Sequence, residues 1–340
     1  MITIHDNIYG IVTLDEPVLE AVIASEAVQR LRHVSQSGIS GLLGISPDFS
    51  RYEHSLGVML LLRRLGATLN EQIAGLLHDI SHTAFSHVAD FVYAEHDVSY
   101  HERMWHEVVQ RSTIPATLER FGYSWQKMEA ESGEFTLLEQ PQPLLCADRV
   151  DYFLRTVVPA ELGTREQVQW VLSRLTTHDG LIVVNDLEVA RWMGETYIQM
   201  DEEMWSSPRE VALYWVLAHA MRHAVEAGYI REEDWYRTDR ELWKQLHRVR
   251  DPKVRKLLSY IKPDTIVIHG DELYDFVTST KVRAIDPPVL IGGKLHLLSE
   301  LEPTFAERRD THIAERSRPM ALWVTRPKNR KTRHPSIHVA

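Results

Sequence analysis

The stretch Ile73-Ala74-Gly75-Leu76-Leu77-His78-Asp79-Ile80-Ser81-His82 guides the interpretation of the whole chain. Its first half is an apolar helical run, and its second half places polar side chains at the buried end of that run. Burying His78 and Asp79 without partners is costly, and a bound metal ion would satisfy both. If the helix continues, His82 lies on the same face as His78. The stretch therefore suggests a metal site at a helix end.

Two other segments supply matching donors. His54 stands at the head of the most apolar predicted helix, over residues 54–66, and Asp148 follows the apolar pair Leu144-Leu145. Together with His78 and Asp79 they offer two imidazoles and two carboxylates at the ends of buried helices. Such a mixed nitrogen and oxygen set suits Fe, Mn, Ni, Zn or Mg, and the sequence does not distinguish among these metals.

Composition excludes several classes of protein. The chain has 340 residues, of which 44% are hydrophobic and 25% charged, as in ordinary globular proteins. A formal charge of −10 disfavours binding to nucleic-acid backbones. The single cysteine, Cys146, excludes an internal disulfide framework. No apolar stretch is long enough to span a membrane and no secretion signal begins the chain, so we expect a soluble cytoplasmic protein.

Further motifs surround the four candidate ligands in a fixed order. They are Asp6-Asn7-Ile8-Tyr9-Gly10, Gln29-Arg30-Leu31-Arg32, Gln36, Arg51-Tyr52-Glu53-His54-Ser55-Leu56-Gly57-Val58, His78 to His87, His101-Glu102 and Asp148-Arg149-Val150-Asp151-Tyr152-Phe153. This order resembles the HD-domain metal-dependent phosphohydrolases. The branch it resembles contains the deoxynucleoside triphosphate triphosphohydrolases, including the SAM- and HD-domain dNTPase. The similarity is dense over residues 3–160 and thin to about residue 310, and no sterile-α-motif domain is expected here.

The resemblance implies a role for each matching residue. One divalent metal ion would be held by His54, His78, Asp79 and Asp148. The implied catalytic histidines are His82 and His101, with Asp90 and Glu102 as candidate orienters of their rings. The implied substrate contacts are Arg51, His87 and Arg149 for phosphate, and Gln36 and Tyr152 for the sugar.

The resemblance and the hydrophobic periodicity together predict a mainly α fold. We expect an HD-domain helical core with a smaller α+β C-terminal part. Helices are predicted over 16–35, 54–66, 70–80, 84–94, 136–147 and 187–228, among others, and strands over 180–184, 265–268, 281–283 and 295–297. The segments are a catalytic core over 1–160, a helical extension over 161–261, a small α+β segment over 262–325 and a basic tail over 326–340. A homo-oligomer is also expected, with contacts through 187–228.

Three departures from the dNTPase pattern leave the substrate open. Ser37 and Thr156 replace residues expected at the sugar, and Met204-Trp205-Ser206-Ser207-Pro208 replaces a stretch that helps to hold triphosphate. The leading hypothesis is hydrolysis of a dNTP to deoxynucleoside and triphosphate by metal-assisted water attack at the α-phosphorus. A phosphomonoesterase or phosphodiesterase acting on another nucleotide is the alternative. A third hypothesis, from another class, is a nucleotide-binding sensor or assembly protein with little turnover.

Overall fold

The computed structural model describes residues 1–93, 99–270 and 274–325. The expected mainly helical fold with a smaller α+β C-terminal part is confirmed. The predicted basic tail lies outside the described residues. No helix in the described ranges is both long and apolar enough to cross a membrane. The α-helices of the described part are α1 Pro17–Ile23, α2 Glu26–Arg30, α3 Gly38–Leu42, α4 Arg51–Arg64, α5 Leu69–Leu77, α6 Val88–Val92, α7 Tyr100–Arg111, α8 Ile114–Glu119, α9 Ala147–Val157, α10 Arg165–Arg174, α11 Leu187–Met200, α12 Pro208–Glu226, α13 Asp239–Arg248, α14 Pro252–Leu258, α15 Leu298–Leu301 and α16 Pro303–Arg316.

Three small sheets accompany the helices in the described part. The strands are β1 Ile2–Asp6, β2 Gly10–Leu14, β3 Leu175–His178, β4 Leu181–Val184, β5 Ile266–His269, β6 Phe276–Thr278, β7 Pro288–Ile291, β8 Lys294–Leu297 and β9 Met320–Thr325. The first sheet is the antiparallel hairpin β1-β2. The second has the order β3-β4-β7-β8, with β4 and β7 parallel, and the third has the antiparallel order β5-β9-β6.

Helix α4 is the centre of the part that carries the site. It begins with a capping box, in which Ser50 and Glu53 satisfy each other's backbone N–H groups. Its middle is buried all round, from Leu56 to Leu62, as expected for an apolar helix without a polar face. It packs against α5 and α9. The ends of these three helices therefore stay in fixed relative positions.

The hydrophobic cores cross the segment boundaries drawn from the sequence. One core joins residues of α6 to α12 and to β9. A second joins α4 and α9 to α11 and to Phe305 of α16. The parallel pairing of β4 with β7 ties residues 181–184 to residues 288–291. Residues beyond 160 thus help to bury the catalytic core, while the segment boundaries themselves stay a prediction.

Several predicted elements differ in the structure. The predicted helix over 16–35 is interrupted at Ala24 because Ser25 begins α2 as its N-cap. Residues 136–146 form turns and irregular chain, since Pro141 and Pro143 cannot donate helix hydrogen bonds, and only Ala147 is helical, as the first residue of α9. Residues 281–283 are not a strand. The helix over 187–228 is divided by a π-helix at Asp201–Trp205, and only α6 forms within 84–94 among the described residues.

Gly57 provides a test of how closely α4 and α9 approach. A Cβ atom there would lie 2.0 Å from Asp151 Oδ1 and 2.1 Å from Arg155 Nη2, which are buried charged groups held by other contacts. We expect Gly57→Ala to lower the free energy of unfolding by about 1–3 kcal/mol, as overpacking does. Denaturant unfolding followed by circular dichroism measures the change.

Gly75→Ala on α5 is the matched control. The nearest atom to its Cβ is Leu62 Cδ1 at 2.6 Å, the end of a flexible side chain that can move aside. Its loss of stability is therefore expected to be smaller. Equal losses in the two variants would contradict the close approach of α9 to Gly57.

Candidate active site

Four side chains from the ends of three helices converge on one point. His54 lies in the first turn of α4, His78 follows α5, and Asp148 lies in the first turn of α9. The Nε2 atoms of His54 and His78 are 3.3 Å apart, and His54 Nε2 is 2.8 Å from Asp148 Oδ1. Asp79 Oδ1 lies 3.5 Å from His78 Nε2, and its Oδ2 lies 3.9 Å from His54 Nε2. The structure thus brings together all four predicted metal ligands.

The hydrogen bonds of the two rings direct their lone pairs inward. His78 Nδ1 donates to Gly75 O at 2.8 Å, and His54 Nδ1 donates to Asp151 Oδ2 at 2.8 Å. Each neutral ring therefore presents an Nε2 lone pair to the other ring and to the Asp148 carboxylate. Such an arrangement is repulsive unless positive charge lies between the donors. The residues present fit a divalent metal ion.

A proton can compete for the same place. Burial lowers the pKa of His54, but its hydrogen bonds to Asp148 and Asp151 outweigh this effect and raise the pKa to about 10. A metal ion bound at His54 Nε2 must therefore displace that proton. The affinity for metal is expected to fall as the pH is lowered.

A buried ionic chain holds His54 in its orientation. Asp151 Oδ2 accepts hydrogen bonds from His54 Nδ1 and from Arg155 Nε, the latter at 2.9 Å. Its Oδ1 accepts from the Tyr9 hydroxyl at 2.8 Å, and Arg155 Nη2 donates to Asp6 Oδ2 at 2.7 Å. Asp151 is completely buried. The N-terminal hairpin turn therefore supports the metal ligand through three successive contacts.

Arg51 is paired with Asp79, so only part of its guanidinium group is available to bind phosphate. Its Nη1 lies 2.6 Å from Asp79 Oδ2, and its Nε donates to Ser86 Oγ at 2.7 Å. Burial raises the pKa of Asp79, but the charges of Arg51, His78 and His82 outweigh this and hold the pKa well below its usual value. Asp79 is therefore an anion ready to bind a cation.

His82 reaches the site from a turn and not from a continued helix. Helix α5 ends at Leu77, and Arg30 Nη2 donates to the carbonyl oxygens of Ile80 and His82 at 3.0 and 2.7 Å. These bonds take up carbonyl groups that a continuing helix would use. Because the helix does not continue past Leu77, His82 and His78 do not share a helical face. His82 Nε2 nevertheless lies 3.1 Å from Asp79 Oδ1.

Three histidines form a second cluster beside the metal ligands. The rings of His82 and His101 are stacked with centroids 3.8 Å apart, and His87 meets them edge-on at 5.0 and 5.6 Å. Their ring nitrogens also lie close enough together to hold a cation. Burial and the charges of Arg51 and His101 lower the pKa of His82 well below its usual value.

Asp90 pairs chiefly with His87. Its Oδ2 lies 2.9 Å from His87 Nδ1, whereas its Oδ1 lies 3.7 Å from His101 Nδ1. The predicted role as an orienter therefore extends to His87, which the resemblance placed among the phosphate contacts. Burial lowers the pKa of His87, whereas the hydrogen bond to Asp90 raises it. The effect of burial is the larger, so the pKa lies below its usual value. His87 is thus neutral at neutral pH, with Nδ1–H on Asp90, and its Nε2, which carries the lone pair, lies 3.4 Å from the donor Arg51 Nη2.

The other predicted residues lie around one cavity of about 1020 Å³. Glu102 Oε1 is 4.0 Å from His101 Nε2. The Tyr152 ring lies 6.3 Å from the His54 ring and stacks on Trp205 at 4.9 Å. Gln36 also lines the cavity. Arg149 lines it as well, but its guanidinium group donates to the carbonyl oxygens of Leu144 and Gln140.

Sequence reasoning gave no role to several residues at the site. Asp151 was detectable, because it lies three residues after Asp148 and so shares its helical face. Lys281 and Arg283 line the cavity from an extended segment where a strand was predicted. Glu139 lines it too, and burial and Asp148 raise the pKa of its carboxyl group well above the usual value. Glu210 has no motif to mark it.

Comparison with known proteins agrees with this geometry. The HD domain family model matches residues 51–156. The metal-dependent phosphohydrolase cns2 of Cordyceps militaris is 36% identical over 326 residues, covering 93% of each chain. The Bacillus subtilis protein YdhJ is 40% identical over 291 residues, covering 86% of this chain and 89% of its own. The zebrafish deoxynucleoside triphosphate triphosphohydrolase SAMHD1 is 38% identical over 101 residues, which is 25% of this chain and 16% of that protein.

Solved structures share the fold. A phosphohydrolase from Bacteroides thetaiotaomicron superimposes with a TM-score of 0.73 at 16% identity, covering 95% of this chain and 99% of that one. The match over nearly the whole length extends the likeness beyond the residues of the family motif. With the relatives above, it places the chain in the HD-domain family of metal-dependent phosphohydrolases.

Asp151 is expected to govern metal affinity without being a ligand. Asp151→Asn removes the charge that orients His54, so we expect metal affinity to fall by roughly 10- to 100-fold, as for other residues that support a metal ligand. Competition with a chelator, read by metal analysis of the protein, measures this. Asp179→Asn is the control, because that side chain is exposed and lies in a distant turn. Equal affinities in the Asp151 variant and the control would contradict the role of the ionic chain.

Proposed function

We propose that this chain hydrolyses a phosphate ester of a nucleotide. The observation that carries the proposal is that three of the four candidate metal ligands, His78, Asp79 and Asp148, line one cavity together with the three-histidine cluster and several aromatic rings. A volume of about 1020 Å³ is enough for a nucleotide. The stacked pair Tyr152 and Trp205 offers apolar surface of the kind that receives a base.

The metal would be held by His54, His78, Asp79 and Asp148. A divalent ion in such a site polarises a phosphoryl oxygen and lowers the pKa of a bound water molecule. The protein supplies proton transfer beside it. His87 Nε2 is the proton acceptor, and Asp90 fixes the tautomer and stabilises the imidazolium that forms. His82 and His101 line the same wall and present further ring nitrogens to the phosphoryl group.

Two forms of the reaction use this machinery. The sequence motifs favour release of triphosphate from a dNTP. The charge of the cavity favours a substrate with a single phosphate. Among the described residues that line the cavity, eight carboxyl groups accompany only four cationic side chains, those of Arg51, Arg149, Lys281 and Arg283. Of these, Arg51 is paired with Asp79, and Arg149 donates to two carbonyl groups.

The environment of the cavity already disfavours the charged form of two of its own carboxyl groups. Burial raises the pKa of Glu210 to about 7, and burial with Asp148 raises that of Glu139 well above its usual value. A triphosphate would bring several more negative charges next to these groups, with few free cations to offset them. A phosphate monoester brings one phosphate, which the metal and the histidine cluster can meet. We therefore favour nucleotide phosphomonoester hydrolysis over triphosphate release.

A product assay distinguishes the two reactions. Metal-loaded protein is incubated with nucleoside monophosphates, NTPs and dNTPs, and every phosphate product is resolved by ion chromatography. We expect orthophosphate from a monophosphate. Inorganic triphosphate from a dNTP would contradict the monoester assignment while retaining the hydrolase. Tight nucleotide binding with background turnover would contradict both and favour a sensor.

The His87–Asp90 pair predicts a specific kinetic defect. In Asp90→Asn the amide can present N–H to His87 Nδ1 and so favour the wrong tautomer. We expect kcat to fall by about 10²- to 10⁴-fold, the usual worth of a positioned acid or base, while metal content stays the same. Steady-state kinetics and metal analysis measure both quantities. Asp310→Asn, on the exposed face of α16, is the matched control. A kcat within twofold of the control would contradict the proton-transfer role.

A further inference from the structure

Glu210 occupies an ordinary capping position but does not cap its helix. It is the third residue of α12, whose N-cap is Ser207. Glu53 and Glu241, at the same position of α4 and α13, return to their N-cap residues and complete capping boxes. The Glu210 carboxylate instead contacts the hydroxyl group of Ser40, which also lies 2.8 Å from Ser37 O, and that of Ser46, at 3.2 Å. The side chain has therefore turned from its own helix towards the cavity.

The carboxylate keeps acceptor capacity in the cavity wall. A carboxylate has about four acceptor positions, and the two serines use one on each oxygen. Glu210 lines the same cavity as the metal ligands. The two serines hold it in place, so little side-chain freedom is lost when a ligand binds. A fixed carboxylate with spare lone pairs is suited to a ligand that donates hydrogen bonds.

An unsatisfied amide in the same wall indicates that a polar ligand binds there. Gln36 is 9% exposed, and its Oε1 has no hydrogen-bond partner among the described residues. Its main chain is fixed by a bond from Gln36 N to Phe49 O at 2.9 Å. A buried amide oxygen without a partner is costly unless a ligand donates to it. Glu210 and Gln36 therefore both line the cavity, and the Gln36 amide oxygen is left without a donor among the described residues.

Tyr152 lies near both Glu210 and the candidate metal ligands. Its ring lies 6.3 Å from that of the ligand His54 on one side. On its other side it stacks on Trp205, and it lies close enough to Glu210 for that charge to raise the pKa of its hydroxyl group. Thr156, one turn later on α9, gives its hydroxyl to Tyr152 O and is buried away from the cavity. Glu210 and the candidate metal ligands therefore line one cavity, with Tyr152 near both.

We propose that Glu210 is a specificity-determining residue that accepts hydrogen bonds from the 2′- and 3′-hydroxyl groups of a ribose, so that the substrate is a ribonucleoside 5′-monophosphate. The inference rests on the proposed function. Carboxylates read ribose hydroxyls in this way in dinucleotide-binding proteins. A carboxylate accepts hydrogen bonds from hydroxyl groups but has none to donate to a phosphate, so it marks the sugar end and not the phosphate end of the ligand. Gln36 Oε1 offers a further acceptor to the same hydroxyl groups.

The proposal is tested by the ratio of kcat/KM for ribonucleotides to that for deoxynucleotides. The probes are the four ribonucleoside 5′-monophosphates and their 2′-deoxy counterparts, with metal-loaded protein. The wild type is expected to favour the ribonucleotide by roughly 10- to 100-fold, the worth of hydrogen bonds to a charged group. Glu210→Gln is expected to reduce this ratio to near one, chiefly by lowering kcat/KM for the ribonucleotide.

Two further variants test whether the effect depends on the length and the position of the carboxylate side chain. Glu210→Asp retains the charge but shortens the side chain, and it is expected to lose most of the ratio as well. Glu226→Gln makes the same chemical change at an exposed position near the end of the same helix, and it should keep the wild-type ratio. A ratio near one in the wild type, or an unchanged ratio in Glu210→Gln, would overturn the proposal. Base preference that changes in Glu210→Gln while the sugar ratio does not would also overturn it, by assigning Glu210 to an amino group of the base.

A binding measurement separates this inference from the proposed function. Calorimetric titration of metal-loaded protein with adenosine and with 2′-deoxyadenosine requires no turnover. Tighter binding of adenosine that is lost in Glu210→Gln supports the diol site even if no nucleotide is hydrolysed, which would be a failure of the proposed function alone. Equal binding of the two nucleosides by the wild type would overturn the inference even if nucleotides are hydrolysed.

Discussion

The hydrogen bond between His54 Nδ1 and Asp151 is the interaction on which the site depends. It commits one nitrogen of the ring and so points the Nε2 lone pair at His78 and Asp148. Asp151 is itself buried, and hydrogen bonds from His54, Arg155 and the Tyr9 hydroxyl make its charge tolerable there. The N-terminal hairpin thus helps to hold the candidate metal ligand His54 in place although it contains no candidate ligand itself. Gly57 is required at the same place because any side chain would fill the space of this ion pair.

A second constraint holds the histidine cluster. Phe85 and Ser86 both adopt positive φ angles, which non-glycine residues rarely do. Asp239 accepts hydrogen bonds from the backbone N–H groups of Phe85 and Ser35, each at 2.8 Å, and thus secures both the His82–His87 turn and the segment that carries Gln36. Residues of α13, far along the chain, therefore position groups whose chemistry is encoded near residue 80. This explains why the catalytic segment needs the helices that follow it.

The convergence of the four candidate metal ligands could be predicted from sequence because each lies at the end of a buried helix, where a polar side chain needs a partner. The loop geometry could not be predicted. In the turn beyond the end of α5 at Leu77, Arg30 binds the carbonyl oxygen of Ile80, a contact between residues 50 positions apart. The pairing of Asp90 with His87 depends on that turn. Glu210 gave no signal, since Ser207 and Glu210 have the spacing of an ordinary capping box. The same reasoning predicted a helix over 136–147 despite its two prolines, and missed the N-terminal hairpin.

The position of the metal tests the central claim most directly. An anomalous difference map from crystals of the protein loaded with Mn²⁺ or Fe²⁺ locates the ion without reference to activity. The account predicts one strong peak in contact with His54 Nε2, His78 Nε2, Asp79 and Asp148, with His54 Nδ1 still bonded to Asp151. A peak held instead by His82, His87 and His101, with none at the first set, would contradict it.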